Sequence, residues 1–453
     1  MTRHFATVVA VLCACFAAFV VPPAAQAAPG DLLNTSQSHG WNGSATDSGV
    51  AGGVDSAGNY YAAGYGEIAE GTAGFLAAKV TPAGVLDWLL PWAPSVGEGG
   101  EAFDAVVSPS GELITVGFMD AVSGGSDVQL VSRDAAGALA WTANWSGPGN
   151  RADGATAVAR AADGSLYVVG SGTAGDGDRD VITLKFGPTG ELIWARRYNS
   201  PWDRNDGAGA VCLYGDSVYV AGSVAHPDHG TDVALIKYDT NGVRKWVRLF
   251  DGSRHRNDVV QQVVANGSSV YVAGAVTTAK GRQDMVLRYR PAGAFVWMRA
   301  SGGGPPAGYP TITMWSDVAI APGGEAVVTG NRWMGWDAQF DWATAVYRPS
   351  GVLAWSKRQS GFDFDSGNAV AVDPNGMIYV VGGRFRSSGQ EHNTDGTVIC
   401  YRSDGAKQWM TSTGFPFPDT LADVSLSSDR VYATGSSVDP TYWYEFLVVE
   451  IEK

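Results

Sequence analysis

The only dense histidine cluster in this 453-residue chain is His226-Pro-Asp-His229, with Asp232 three residues further on. Imidazoles combined with a carboxylate suit zinc. Pro227 breaks any helix that would align the two rings, so the segment is read as a solvated loop. A second set is acidic and periodic: Asp127, Asp180, Asp232, Asp284 and Asp341, with Glu445, each open a Val/Ile-rich run. One carboxylate per repeat could build a ring of metal sites. The preferred reading is a side chain that accepts backbone N–H bonds and closes the preceding loop. A third set is Asp47, Asp153, Asp206, Asp258 and Asp365, with Asp104, Asp317 and Asp423 set slightly later in their repeats. Some of these could face a central channel, but turn and edge roles are expected. The chain has no Gly-x-Ser-x-Gly elbow, no His-Glu-x-x-His and no assignable triad or carboxylate pair. No catalytic residue, metal site or cofactor is therefore predicted.

Recognition chemistry is more visible than bond-breaking chemistry. Tyr309, Trp333, Trp336, Tyr442, Trp443 and Tyr444 lie in irregular segments, with Arg384, Arg386 and His392 between them in chain order. Loop aromatics offer flat apolar area to sugars and protein anchors, and the cations can bond hydroxyls or carboxylates. These nine residues are the candidate ligand-binding set.

The elements that must position them follow from one recurring stretch, Gly190-Glu-Leu-Ile-Trp194. Gly, three residues, then Trp occurs seven times, ending at Trp88, Trp141, Trp194, Trp246, Trp297, Trp355 and Trp409, in steps of 53, 53, 52, 51, 58 and 54. A β-rich period near 50 means a radial or stacked repeat protein. Within the third unit, Ala155 to Ala161, Leu166 to Val169, Val181 to Phe186 and Leu192 to Tyr198 read as four strands. They are separated by turns such as Asp163-Gly164 and Pro188-Thr189-Gly190. Four antiparallel strands make a propeller blade. A β-solenoid has rungs shorter than about 30 residues, so the propeller is preferred.

A second marker is the Gly that closes strand two: Gly64, Gly117, Gly170, Gly222, Gly274, Gly330, Gly382 and Gly435. Eight of these against seven tryptophans leave the last unit without a fourth strand. Residues about 31 to 42 are expected to supply it, because an unclosed ring leaves open strand edges. The chain is thus read as all-β: an eight-bladed β-propeller of four-stranded antiparallel blades, closed by an N-terminal strand joining the C-terminal blade. Strand-two-to-three loops and blade-to-blade connectors leave on one face, which holds the long, irregular segments and all nine candidate residues.

Asn368-Ala-Val-Ala-Val-Asp-Pro-Asn-Gly376, followed by Met377-Ile-Tyr-Val-Val-Gly382, resembles the bacterial β-propeller repeat family known as SBBP repeats, as does Asp232 to Gly242. The resemblance implies an extracellular propeller of binding or structural type. Thr189-Gly-Glu-Leu-Ile-Trp194 is also similar to the tryptophan-docking motif of eight-bladed quinoprotein dehydrogenases. Those enzymes carry an adjacent cysteine pair over the quinone, which the chain beyond residue 27 lacks.

Composition sets the compartment. A charged start, an apolar run from Phe5 to Val21 and Ala25-Gln-Ala27 read as a secretory signal over residues 1–27. Residues 28–453 are then a single propeller domain, secreted to the extracellular space. The run is too short for stable membrane insertion. Cys212 and Cys400 lie three repeats apart and are expected to be unbridged. Without Arg3 the chain has 30 basic and 45 acidic residues. That surface repels phosphate backbones, so no nucleic acid partner is expected. The expected function is a binding or scaffold module, acting as a monomer on a glycan or an extracellular protein. The alternative is a propeller enzyme, either a quinoprotein-like oxidoreductase or a glycan hydrolase or lyase.

Overall fold

The computed structural model describes residues 28–453 apart from 39–46, 70–71, 94–98, 121–124, 149–150, 176, 303–313, 336–338, 360–364, 389–390 and 439–443. The described residues form eight four-stranded antiparallel sheets, each wound in chain order except the one that closes the ring. The third blade is representative: Asp153–Arg160, Leu166–Thr173, Arg179–Phe186 and Leu192–Tyr198. The closing blade takes Asp419–Leu426, Arg430–Val438 and Tyr444–Glu452 from the C-terminal end and Leu32–Ser38 from the other. That N-terminal strand pairs antiparallel along Tyr444–Glu452, with Thr35 opposite Val449 and Ser38 opposite Phe446. We number blades one to eight from residue 48 onward, with the closing blade last.

The core lies between blades rather than within them. Tyr167, Val169, Trp194 and Tyr198 of blade three pack with Ala208, Val218, Val220 and Tyr238 of blade four. At the seam, Tyr60, Ala62 and Leu76 of blade one meet Tyr432, Phe446 and Val448 of blade eight. There the Tyr60 and Tyr432 rings stack with centroids 5.0 Å apart. A strand buried on both faces must be apolar throughout, which is why Val218–Ala221 reads as a continuous apolar run with no exposed face.

Both sequence markers have a packing cause. The marker glycine of strand two lies within the strand rather than at its end, against strand one where that strand bulges; a Cβ at Gly170 would stand 1.9 Å from the Gly154 carbonyl oxygen. A register shift occurs at the same place in the inner strand of every blade. The extra residue of a bulge kinks the strand and re-aims its neighbours. The other marker, Gly-x-x-x-Trp, encodes both halves of a contact between successive blades. The Trp194 Nε1 donates to the Thr240 carbonyl at 3.2 Å, and Trp297 does the same to Pro349 at 2.9 Å. Each acceptor lies in the turn that carries the next blade's marker glycine. At Gly242 (φ 76°) a Cβ would be 2.9 Å from the Trp194 ring. The ring also meets its own blade's tyrosine, Tyr167, at 6.0 Å.

Blade eight departs from the pattern in an orderly way. Gly30-Asp-Leu-Leu-Asn34 keeps the marker spacing with asparagine in the tryptophan position. Asn34 pairs in register with Glu450, where Trp194 pairs with Lys185. Burial pushes the Glu450 carboxyl up to about 7, against the opposing pull of Arg430.

Candidate functional site

Loops can be held rigidly only if their backbone ends are fixed, and on the long-loop face carboxylates do this. Asp153 accepts N–H bonds from Gly147 at 2.5 Å and Thr173 at 2.9 Å. Asp206 takes Ser200 and Ala225, and Asp258 takes Gly252 and Thr277. In each case one donor lies in the connector arriving from the previous blade and the other at the exit of the blade's own second strand. Burial raises these carboxyls, Asp258 to about 6, and the N–H bonds hold them partly down.

A second layer of carboxylates stands at the start of strand three. Each of four faces an arginine: Asp180 and Arg197 at 3.3 Å, Asp284 and Arg332 at 2.8 Å, Asp341 and Arg358 at 3.0 Å, Asp395 and Arg386 at 3.1 Å. Asp395 belongs to the same series, standing 14 residues before Trp409 as Asp180 does before Trp194. Asp284 is raised to about 6 by burial, with Arg332 pulling it back. Asp232 of blade four instead faces a histidine, His229.

The nine candidate residues divide as follows. Trp333 lies on the second strand of blade six, partly buried, with its ring edge-on to Phe340 at 5.2 Å; it packs on its own hairpin. Arg384 and Arg386 lie on the second strand of blade seven, Ile378–Ser388. Arg386 is committed to Asp395 and donates to the Phe415 carbonyl at 3.2 Å. Arg384 is half-buried, and its Nε makes no hydrogen bond. His392 and Tyr444 begin strands of blades seven and eight, where the backbone alone is described. Tyr309, Trp336, Tyr442 and Trp443 lie outside the described residues. Two further tryptophans of this sector, Trp315 and Trp342, are core residues; the Trp342 Nε1 donates to the Thr329 hydroxyl at 2.7 Å.

The central channel holds three members of the third acidic set, those set later in their repeats. A cavity of about 380 Å³ is lined by the bulged inner strands, including Phe103, Thr156, Gln262 and Asn368. Asp104, Asp317 and Asp423 line it too, and each carboxylate accepts an N–H from the following blade: Val158, Val370 and Gly52, all at 2.8 Å. They are staples between inner strands. Burial pushes Asp104 up to about 6 and Asp423 up to about 7, the backbone donors opposing.

Sequence reasoning passed over a convergence at the border of blades four and five. His226 and His229 lie in the strand-two-to-three loop of blade four, and Asp251 and His255 in the connector that follows it. The segment 226–229 is a loop with Pro227 and Asp228 exposed, and its two imidazoles are partly buried: His226 and His229 stack at 3.7 Å, with His226 against Trp202. The signal available in the sequence was a second histidine four residues after an aspartate, at Asp251 and His255, in the neighbouring loop of the same face.

No family model matches the chain, and no curated protein matches it. Solved structures do. The chain is similar to the WD40 domain of SCAP from fission yeast, at 10% identity and TM-score 0.47 over 92% of this chain and 94% of that one. It is similar to Drosophila Plexin A in complex with Semaphorin 1b, at 10% identity and TM-score 0.45 over 94% and 88%. The β-propeller domain of the Trilobed protease from Pyrococcus furiosus gives 8% identity and TM-score 0.42 over 90% and 95%. The propeller assignment rests on the strand pairing itself.

Proposed function

We propose that this chain is a secreted binding module of the SBBP-repeat type, whose long-loop face over blades five to eight holds a glycan or an extracellular protein surface. The observation that carries the reading is the hairpin of blade seven. Its strands, Ile378–Ser388 and Glu391–Tyr401, run 11 residues each, against 8 in blade three. Three extra residues at the rise of a strand project the tip by roughly 10 Å beyond its counterpart. This hairpin carries Arg384, Arg386 and His392, and the loop aromatics fall in the corresponding loops of blades six and eight and in the connector into blade six. Variable loops on a rigid scaffold are where recognition concentrates. A half-buried guanidinium whose Nε makes no hydrogen bond suits hydroxyls and carboxylates.

A glycan array and an extracellular-protein array, probed with the chain from residue 28, test the reading. Saturable binding that Arg384→Ala reduces at least tenfold supports it. No binding on either array, or binding that Arg384→Ala leaves unchanged, counts against this face. Stoichiometric uptake of a quinone cofactor with calcium would instead place the chain among enzymes.

A further inference from the structure

We infer that the border of blades four and five is a transition-metal site, with zinc as the natural occupant, held by His229, Asp251 and His255 and oriented by Asp232. Donor atoms of His229, Asp251 and His255 all lie within 4.8 Å of one another. The Asp251 Oδ2 is 2.5 Å from the His255 Nδ1 and 3.9 Å from the His229 Nε2. A tetrahedral zinc with bonds near 2.0–2.1 Å needs donors about 3.3 Å apart. The two observed separations bracket that value, so small side-chain rotations admit the ion. Two imidazoles and one carboxylate leave a fourth position open to solvent or ligand.

What separates this cluster from an ordinary surface group is Asp232. It is 2% exposed, and its Oδ1 makes no hydrogen bond, as at Asp284, Asp341 and Asp395; what differs in blade four is the group it faces. The carboxylates at this position in blades three, five, six and seven each face an arginine. In blade four the facing group is the His229 Nδ1 at 3.8 Å, which also lacks a hydrogen bond. A buried carboxylate is costly unless compensated. A carboxylate behind the far nitrogen of a metal-ligating histidine is the usual outer partner that fixes ring orientation. Binding of zinc at Nε2 makes the Nδ1–H a stronger donor and shortens that contact. The Asp251 Oδ1 is likewise buried without a hydrogen bond.

The fold contains its own control. The preceding connector has the same geometry, with Asp203 at φ 52° matching His255 at φ 50°. Left-handed backbone is unfavourable for residues other than glycine, and here it brings each residue back toward the one four earlier. In the earlier connector those positions are Asn199 and Asp203, joined amide to carboxylate at 2.5 Å. Of these two connectors only the later one carries an imidazole there, at His255. Asp258 stays outside the set, since both its oxygens hold backbone N–H groups.

The test is a calorimetric titration of tag-free, chelator-treated chain with zinc chloride, followed by cobalt substitution read by visible absorbance. One equivalent of zinc per chain is expected. His255→Gln and Asp251→Asn should each weaken binding at least tenfold, and the two side chains, 66% and 28% exposed, can change without disturbing the core. Asp232→Asn, a positioning change, should weaken zinc by roughly ten- to a hundredfold and alter the cobalt spectrum. Apo melting curves of the variants control for folding. No saturable binding at one equivalent, or zinc affinity unmoved in both His255→Gln and Asp251→Asn, would overturn the assignment.

Discussion

Trp409 of blade seven packs its indole onto Gly30, which stands at φ 93°; a Cβ there would lie 2.6 Å from the indole Cγ. This is the same tryptophan-on-glycine contact that joins Trp194 to Gly242, made here across the chain ends. Gly30→Ala should therefore lower the melting temperature by several degrees, through both the clash and the strained φ. Removing residues 28–38 should lower it much further, because it exposes the whole edge of Tyr444–Glu452. Differential scanning calorimetry checks both. An unchanged melt after the deletion would mean that the strand does not hold the ring.

Trp194→Ala should cost about 3 kcal/mol or more, as expected for truncating a large buried aromatic. The loss includes the bond to Thr240 and the contact with Tyr238 at 6.4 Å. Chemical denaturation measures it. A cost below about 1 kcal/mol would show that the blades hold together without their indoles.

Stability should fall as pH rises from 5 to 8. Burial raises Asp47 and Asp423 to about 7, and Asp104, Asp258, Asp284 and Asp419 to about 6, from an ordinary 3.8. A folded-state value above the unfolded one means that the native chain holds the extra protons. Its contribution is complete below the unfolded value and is lost as pH rises through 6 to 7. Hydrogen-bonded Asp55 and Asp239 shift the other way and act only in stronger acid. Thermal melts at intervals of half a pH unit decide the matter: a melting temperature that climbs toward pH 8 contradicts the scheme. Asp423→Asn should flatten the slope.

For the binding face, Trp336→Ala combined with Trp443→Ala should abolish binding to any ligand found while leaving the melting temperature within about 2 °C. Early unfolding with retained binding would assign these rings to the scaffold.

Much of the architecture was legible because a packing constraint repeated in every blade writes itself as a spacing. Gly170 and Trp194 have counterparts at fixed distances, and eight strand-two glycines against seven tryptophans foretold the shared blade. The closing strand, Leu32–Ser38, falls within the expected residues 31 to 42, and Asn34 hides its marker only because a polar residue replaced the ring. Sites are different. His229 and Asp251 belong to separate loops, and nothing in local periodicity records that two loops of neighbouring blades touch. Of the arginine partners of the strand-three aspartates, one was illegible for the same reason. Arg332 reaches Asp284 across a blade boundary, 48 residues away.

The pairing of Thr35 with Val449 also sets an order of events. Seven blades are built from hairpins whose strands are neighbours in sequence, so each can form as soon as its own segment exists. The eighth must bring together segments separated by nearly the whole chain, and such a closure carries the largest entropic cost and the longest search. Ring completion should therefore be the slow step of folding. Until it happens, the bare edges of Leu32–Ser38 and Tyr444–Glu452 are open to strands of other molecules, which makes refolding yield fall with concentration.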